Sequence, residues 1–442
     1  MAVLRRDSPR WQLVRLLVAP LRLAAKGLLA LSGIVVLGLA WIALLLTPTR
    51  RADRPRLLWG TTPLMSLTYL SRAMRDAGHV SESVVVDVYR ITARSDFDHY
   101  VLSGRADSLG YVISTLKAYR FFVRALWRYD IFHYFFDGGI LRLTPLAGVE
   151  LPFLKLCGKR IVLLPYGSDA FVYDHITDLS WRAMLMINYA LNGNRAEEIE
   201  HHLRRFSRHA DVVVGCLVHI ACLPRWDVLP LTCYPIDTDS LQPVYPRTEG
   251  TVQIVHPTNH RGTKGTEFVV DAVERLQEDG HDIDLHVLER MPNAQALELI
   301  AGADIFIDQL LFGYALAALE GLAFGKVVLS GIDDSAAYLP FRRYSYLNEC
   351  PIVPAGPETV YDVLRDLLAR REEWPEIGRR SRDYVERRHS PAAARDLYGA
   401  IYRKIWDRED VDLINFYHPL FERARHSEEP LGPPANASRS SR

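Results

Sequence analysis

Cysteine is scarce in the 442-residue chain: there are five (157, 216, 222, 233 and 350), with no CxxC pair and no even-numbered framework. That excludes a disulfide-scaffold composition and suits a reducing compartment. An excess of either charge is also missing, because Lys+Arg and Asp+Glu both count 53. A dedicated nucleic-acid binder would show a basic surplus, so nucleic acid is not an expected partner. Glycine, at 27, is far below a collagen-like share, and the few low-complexity runs with 10% aromatic residues exclude wholesale disorder. What remains is a chain 49% hydrophobic, long enough for two or three domains with real cores.

One stretch lacks charge altogether. Gly27–Leu46 holds no ionisable side chain and ends at Thr47-Pro48-Thr49-Arg50-Arg51. Twenty residues at about 1.5 Å each reach roughly 30 Å, the thickness of a bilayer's hydrocarbon core. The run is longer than a signal-peptide core and has no small-x-small cleavage site, so a retained transmembrane helix at about 27–46 is expected. Upstream, Trp11–Lys26 sets Arg15, Arg22 and Lys26 among Leu and Val, with Pro20 expected to break it, as suits a helix in the headgroup layer. Six basic residues precede the span (Arg5, Arg6, Arg10, Arg15, Arg22, Lys26) and four follow (Arg50, Arg51, Arg54, Arg56). A strict positive-inside count exports everything after Thr47.

Beyond Arg51, short apolar runs alternate with amphipathic helices, the pattern of α/β units on parallel sheets. Strands are expected at Arg56–Gly60, Ser83–Val88, Asp130–Phe136, Arg160–Pro165 and Ala210–Val214. After a Pro- and Asp-rich hinge at Tyr234–Pro246, a second set follows at Val252–His256, Ile283–Leu288, Asp304–Ile307 and Val327–Ser330. The helix Thr266–Asp279 places Val269, Ala272, Val273 and Leu276 on one face, and helices are expected at Pro357–Arg370, Pro375–His389 and Pro391–Trp406. The domains expected are a membrane-associated segment (1–50), two α/β domains (51–235 and 236–406), and a C-terminal extension (407–442) disordered from about Ser427. Two doubly wound halves make a cleft at their strands' carboxyl ends.

The segment His256–Phe268, HPTNHRGTKGTEF, falls between a strand and a helix. Gly262 and Gly265 let backbone N–H groups approach an anion, the helix start adds partial positive charge, and Arg261 and Lys264 supply formal charge for a diphosphate. It is not a GxxxxGK[ST] phosphate loop. About fifty residues on, Glu320 lies in an otherwise apolar helical run, LAALEGLAF, either on a polar face or as an acceptor for sugar hydroxyls. Asp237-Thr238-Asp239 spells a DxD but lies in the hinge, where its carboxylates cap a turn rather than hold a metal. His201, His202 and His209 read as solvated helix surface, and no metal site is expected. The sequon Asn436-Ala437-Ser438 falls in the tail.

Together the basic loop and Glu320 resemble the C-terminal half of retaining GT-B glycosyltransferases of the family-4 (glycosyl transferases group 1) type. The resemblance extends over roughly residues 55–406, most weakly at the start. In that family an "R…KG" loop binds the nucleotide diphosphate, and two Glu seven residues apart bind the donor. Glu320 matches the second, which implies a ribose contact, whereas the first falls at Phe312. Asp308 or the backbone around Gly313 would substitute. Tyr166-Gly167-Ser168-Asp169 resembles the family's acceptor-side turn, His133 falls where relatives carry an active-site His, and Gly60-Thr61-Thr62 occupies the first strand–helix turn.

The resemblance implies a GT-B fold of two Rossmann-like domains and transfer of a sugar, with retention, from a nucleotide-sugar donor to a lipid-linked or other membrane acceptor, in cell-surface polysaccharide or glycolipid synthesis. It implies catalytic His133 and Glu320, donor-binding Arg261, Lys264, Gly262, Gly265, Gly313 and Glu320, and acceptor-side Gly60, Thr61, Gly167, Ser168 and Asp169, with no metal or other cofactor. Closure about residues 234–246 would exclude water. The catalytic domains are expected on the cytoplasmic face, with Trp11–Leu46 as a single pass or a hairpin broken at Pro20. The alternatives are a silent GT-B scaffold or glycan-binding protein and, less suited to an anchor, a nucleotide-sugar epimerase.

Overall fold

Five uncharged residues, Leu57–Thr61, open the first sheet as strand β1, every one buried. The computed structural model describes residues 9–47, 51–88, 92–101, 108–232, 234–333 and 335–421. Arg5, Arg6, Arg50, Cys233 and the tail beyond Ser427, with its sequon, lie outside the described residues. The strands that follow are β2 (Ser81–Val85), β3 (His99–Tyr100), β4 (Ile131–Phe135), β5 (Arg160–Leu164) and β6 (Val212–Val213). They form a sheet in the order β3-β2-β1-β4-β5-β6, with β1 parallel to both β2 and β4. The second sheet contains β7 (Val252–Pro257), β8 (Ile283–Leu288), β9 (Ile305–Ile307), β10 (Val327–Ser330) and β11 (Val353–Pro354), in the order β11-β10-β9-β7-β8. Its pairs are parallel.

These orders set where each sheet changes direction. Renumbered within each sheet they are 3-2-1-4-5-6 and 2-1-3-4-5, two common doubly wound patterns. Both reverse direction at one place, between β1 and β4 in the first sheet and between β7 and β9 in the second. In doubly wound sheets the helices on either side of such a point splay apart and leave a crevice at the strands' carboxyl ends.

The chain divides into two compact units, residues 1–169 with 204–211 and residues 170–203 with 212–442, each described by itself. In the second, the helix Thr266–Glu278 buries Val269, Ala272, Val273 and Leu276 against Ile254, Ile305 and Leu329 of the sheet, as its spacing predicts. Gly78 (φ +85°) ends helix α2 (Met65–Asp76), since the left-handed turn there carries no Cβ penalty for glycine.

The N-terminal helix α1 (Pro9–Leu46) differs from the expectation. It runs 38 residues without interruption, so Pro20 does not break it and no re-entrant hairpin forms. A proline removes one N–H from the ladder but its fixed φ is helical, and a long helix bends around it. Its Leu23–Leu46 portion is long and apolar enough to cross a membrane.

Candidate functional site

At the switch point of the second sheet, two loops meet. The first leaves β7, forms the single turn Arg261–Lys264, and passes through Gly265 (φ +75°) into the helix Thr266–Glu278. The second leaves β9 at Asp308 and leads to the helix Leu316–Ala323. The Leu310 N–H donates to the Lys264 carbonyl at 3.1 Å and fixes one loop to the other. His256, at the end of β7, braces the junction. Its Nδ1 faces the Ile307 carbonyl at 2.8 Å and its Nε2 faces the Thr266 hydroxyl at 2.9 Å. A carbonyl only accepts, so Nδ1 carries the proton and Nε2 accepts from Thr266. Burial holds the imidazole pKa down, at about 4, in keeping with that neutral tautomer.

Lys264 Nζ pairs with the Asp308 carboxylate, which is fully buried. The other Asp308 oxygen accepts the Ala315 N–H at 2.9 Å. Glu320, half-buried, adds a second acid to this neighbourhood. Burial first, then the Asp308 charge, push its pKa up to about 7, against the pull of Lys264. Lys264, Asp308 and Glu320 thus form one electrostatic cluster. Arg261 stands apart: its Nε binds Glu267 and its guanidinium end binds Glu289, each at 2.6 Å, on the surface. Gly262 is pressed against Asn188, and a Cβ there would lie 2.4 Å from that side chain. Gly313 (φ +48°) donates its N–H to Tyr338 Oη at 2.7 Å, its carbonyl faces the Ser330 hydroxyl, and a Cβ would meet Val218 at 2.8 Å. Gly313 therefore shapes the turn, with both backbone groups engaged, rather than offering them to a donor. Phe312 stacks on Trp181 of the helix Leu179–Asn188, rings 5.3 Å apart and nearly parallel.

The raised Glu320 pKa carries a sign. Between about 4.5 and 7 the folded protein holds a proton that the unfolded chain releases, so raising pH through that window costs stability. Glu320→Gln removes this penalty. We expect the variant to match the parent near pH 5 and exceed it near pH 8 by up to about 3 kcal/mol. Thermal melts at the two pH values check this, and parallel Tm-against-pH curves for the two proteins would refute it.

In the first unit the residues at the switch point are Thr61 and Thr62, at and after the end of β1, and Asp137 after β4. Thr61 Oγ1 donates to the Gly138 carbonyl at 2.9 Å, Thr62 binds Asp137, and Arg142 pairs with the same carboxylate while donating to Thr62 Oγ1 at 3.0 Å. Sequence reasoning missed Asp137 and Arg142, whose only signal is their place after a strand. Gly60 packs against Val84, too closely for a Cβ. Asp169 accepts the N–H groups of Phe136, Tyr166 and Gly167 at 2.8–3.1 Å, so it and Gly167 close a turn, leaving Ser168 exposed. Burial and Asp137 push the Asp169 pKa up to about 8. His133 lies mid-strand in β4, fully buried, its ring 3.6 Å from Trp59 and parallel to it. Burial drives its pKa down to about 3. It is a core residue, and substrate contact through its ring is not available in this geometry. In the hinge, Asp237 accepts the Ser240 N–H and hydroxyl and caps that turn.

No family model and no curated protein matches the sequence. Among solved structures, Anabaena Alr3699/HepE in complex with UDP and glucose is 10% identical with a TM-score of 0.50, covering 80% of this chain and 100% of that one. An alpha-glucosyltransferase in complex with UDP-glucose and DNA containing an abasic site is 12% identical with a TM-score of 0.50, covering 78% and 98%. At such identities the likeness is one of fold: two parallel sheets flanked by helices, as in GT-B proteins.

Proposed function

We propose that the chain is a glycosyltransferase that moves a sugar, with retention, from a nucleotide-sugar donor to a lipid-linked glycan acceptor in cell-surface polysaccharide or glycolipid synthesis. The supporting observation is the cluster of Lys264, Asp308 and Glu320 at the switch point of the second sheet. Lys264 has three N–H donors and Asp308 engages one side of them, so the ammonium can hold a diphosphate oxygen while keeping its partner. As the sugar bond breaks, negative charge grows on the departing diphosphate, and Lys264 with the start of the helix Thr266–Glu278 stabilises it. Arg261 joins by exchanging its surface carboxylates for phosphate, which solvent-exposed pairs do readily. Glu320 takes the ribose hydroxyls. On the acceptor side, Thr62, Asp137 and Arg142 replace His133 as the polar groups at strand ends. Retention rests on the family resemblance. UDP is bound in one structural neighbour and UDP-glucose in the other, so UDP-glucose is the first donor to try, and the catalytic units belong on the cytoplasmic face, where nucleotide sugars are made.

A silent scaffold is the second reading, favoured by Phe312 in place of Glu and by cations already paired with carboxylates. Calorimetric titration with UDP, GDP and ADP separates the two. We expect one base to bind at least tenfold more tightly than the others, with Kd between about 1 μM and 1 mM. No binding by any of the three would remove the enzymatic reading and leave the scaffold.

A further inference from the structure

Helix α1 does not stand free of the first unit. Leu29, Gly33, Leu37 and Ala40, at i, i+4, i+8 and i+11, are buried along one face. They seat on helix α3 (Ser108–Arg128) and on Leu146. The seat is specific. The Tyr119 hydroxyl donates to the Leu29 carbonyl at 3.1 Å, and a Cβ on Gly33 would come within 2.5–2.8 Å of Leu146 and the Tyr119 ring. Around that face, Leu28, Leu31, Ile34, Val35, Leu39 and Ile42 are apolar and exposed. On α3, Leu109, Ile113 and Leu116 are exposed at i, i+4 and i+7, and the stripe continues through exposed Lys117, Arg120 and Arg124. None of these three cations has an ion pair among the described residues.

We infer that α1 and α3 together form a monotopic membrane-binding surface, in which α1 lies between the first unit and the hydrocarbon instead of crossing the bilayer. A helix apolar on every side needs apolar neighbours on every side. Here the protein supplies one face and lipid tails the other, so composition that reads as a span is satisfied without one. A crossing helix would have to carry Tyr119 and the adjoining part of α3 to its own depth, Lys117 and Arg120 with it, at the cost of bringing charges into hydrocarbon. In the seated arrangement those cations, with Arg124, lie beside an apolar stripe, where anionic phosphate headgroups take them. The occupant is therefore a bilayer containing anionic lipid. The arrangement also removes the orientation conflict, because the positive-inside count sorts the two ends of a span and here there is no span to sort.

This inference uses the proposed function only to place the protein at a membrane, and its test does not depend on transfer. The full chain, tagged at both ends, is bound to preformed sealed vesicles of phosphatidylcholine with 30% phosphatidylglycerol (roughly the composition for strong surface charge) and also co-expressed into sealed inner-membrane vesicles. Both tags are expected to be cleaved by protease from the same side in both preparations. A tag protected until detergent is added, with the other cleaved, would overturn the inference in favour of a span. Failure to sediment with vesicles while a nucleotide still binds would overturn the membrane surface and spare the donor site, and a protein partner would then cover the face. Gly33→Leu should unseat α1, raising amide exchange of residues 111–122 at least tenfold in the vesicle-bound protein. Unchanged exchange would refute the seat.

Discussion

Lys264→Ala should lower affinity for a nucleoside diphosphate at least a hundredfold, equivalent to about 2.7 kcal/mol, the range for losing a charge-assisted contact in a sheltered site. The variant also leaves the fully buried Asp308 without its cation, and removing one member of such a pair typically costs about 3 kcal/mol of stability. Lower binding alone could then report poor folding. Lys264→Ala with Asp308→Asn separates the causes, because the amide keeps an oxygen for the Ala315 N–H and removes the stranded charge. We expect the double variant to regain most of the stability and none of the binding. Melting curves beside calorimetry give both readings, and parental affinity in either variant would remove Lys264 from the donor site. Arg261→Ala, whose carboxylate partners are at the surface, should cost only several-fold in affinity.

Placing Glu at position 312, where the family carries its first acid, should damage the protein rather than improve it. Phe312 is buried and lies flat against Trp181. Phe312→Glu loses that stacking and puts a carboxylate against an aromatic wall, together about 3–4 kcal/mol. For a unit of this size that corresponds to a Tm lower by roughly 10 °C. A variant that melts like the parent and transfers sugar faster would show that the position faces the donor after all. Under the expected result position 312 serves packing, and Asp308 is the acid held against Lys264 of the basic loop.

These predictions rest on features that differ in how far the sequence announces them. β8 and β10 match their expected ranges residue for residue, and the helix Thr266–Glu278 buries the four residues its period singles out. Those are local signals, apolar runs of strand length and a 3.6-residue repeat, and they survive packing. Two-residue strands such as β3 and β11 have no such repeat to find. Pairings across long separations are equally silent: Trp181 with Phe312, Arg142 with Thr62, and Tyr119 with Leu29 follow only from the tertiary fold. His133 shows the limit most clearly. A central strand of a parallel sheet is buried on both faces, so a histidine within it has no polar neighbour in sequence to show whether it lines a pocket or fills a core. The basic loop was legible because chain order alone puts it after a strand and before a helix. That its two cations face different carboxylates was not.

The fastening of α1 to α3 carries a mechanical corollary. A catalytic unit on a loose tether samples many heights above its membrane, whereas one bolted along four helical positions stands at a single elevation. On the proposed membrane surface the strand tips of the first sheet would then keep a set distance from the headgroups, like a gauge fixed to a floor. Under the proposed transfer, sugar residues displayed at that altitude would be served and those held closer in or farther out passed over, so reach would join stereochemistry in choosing what is extended.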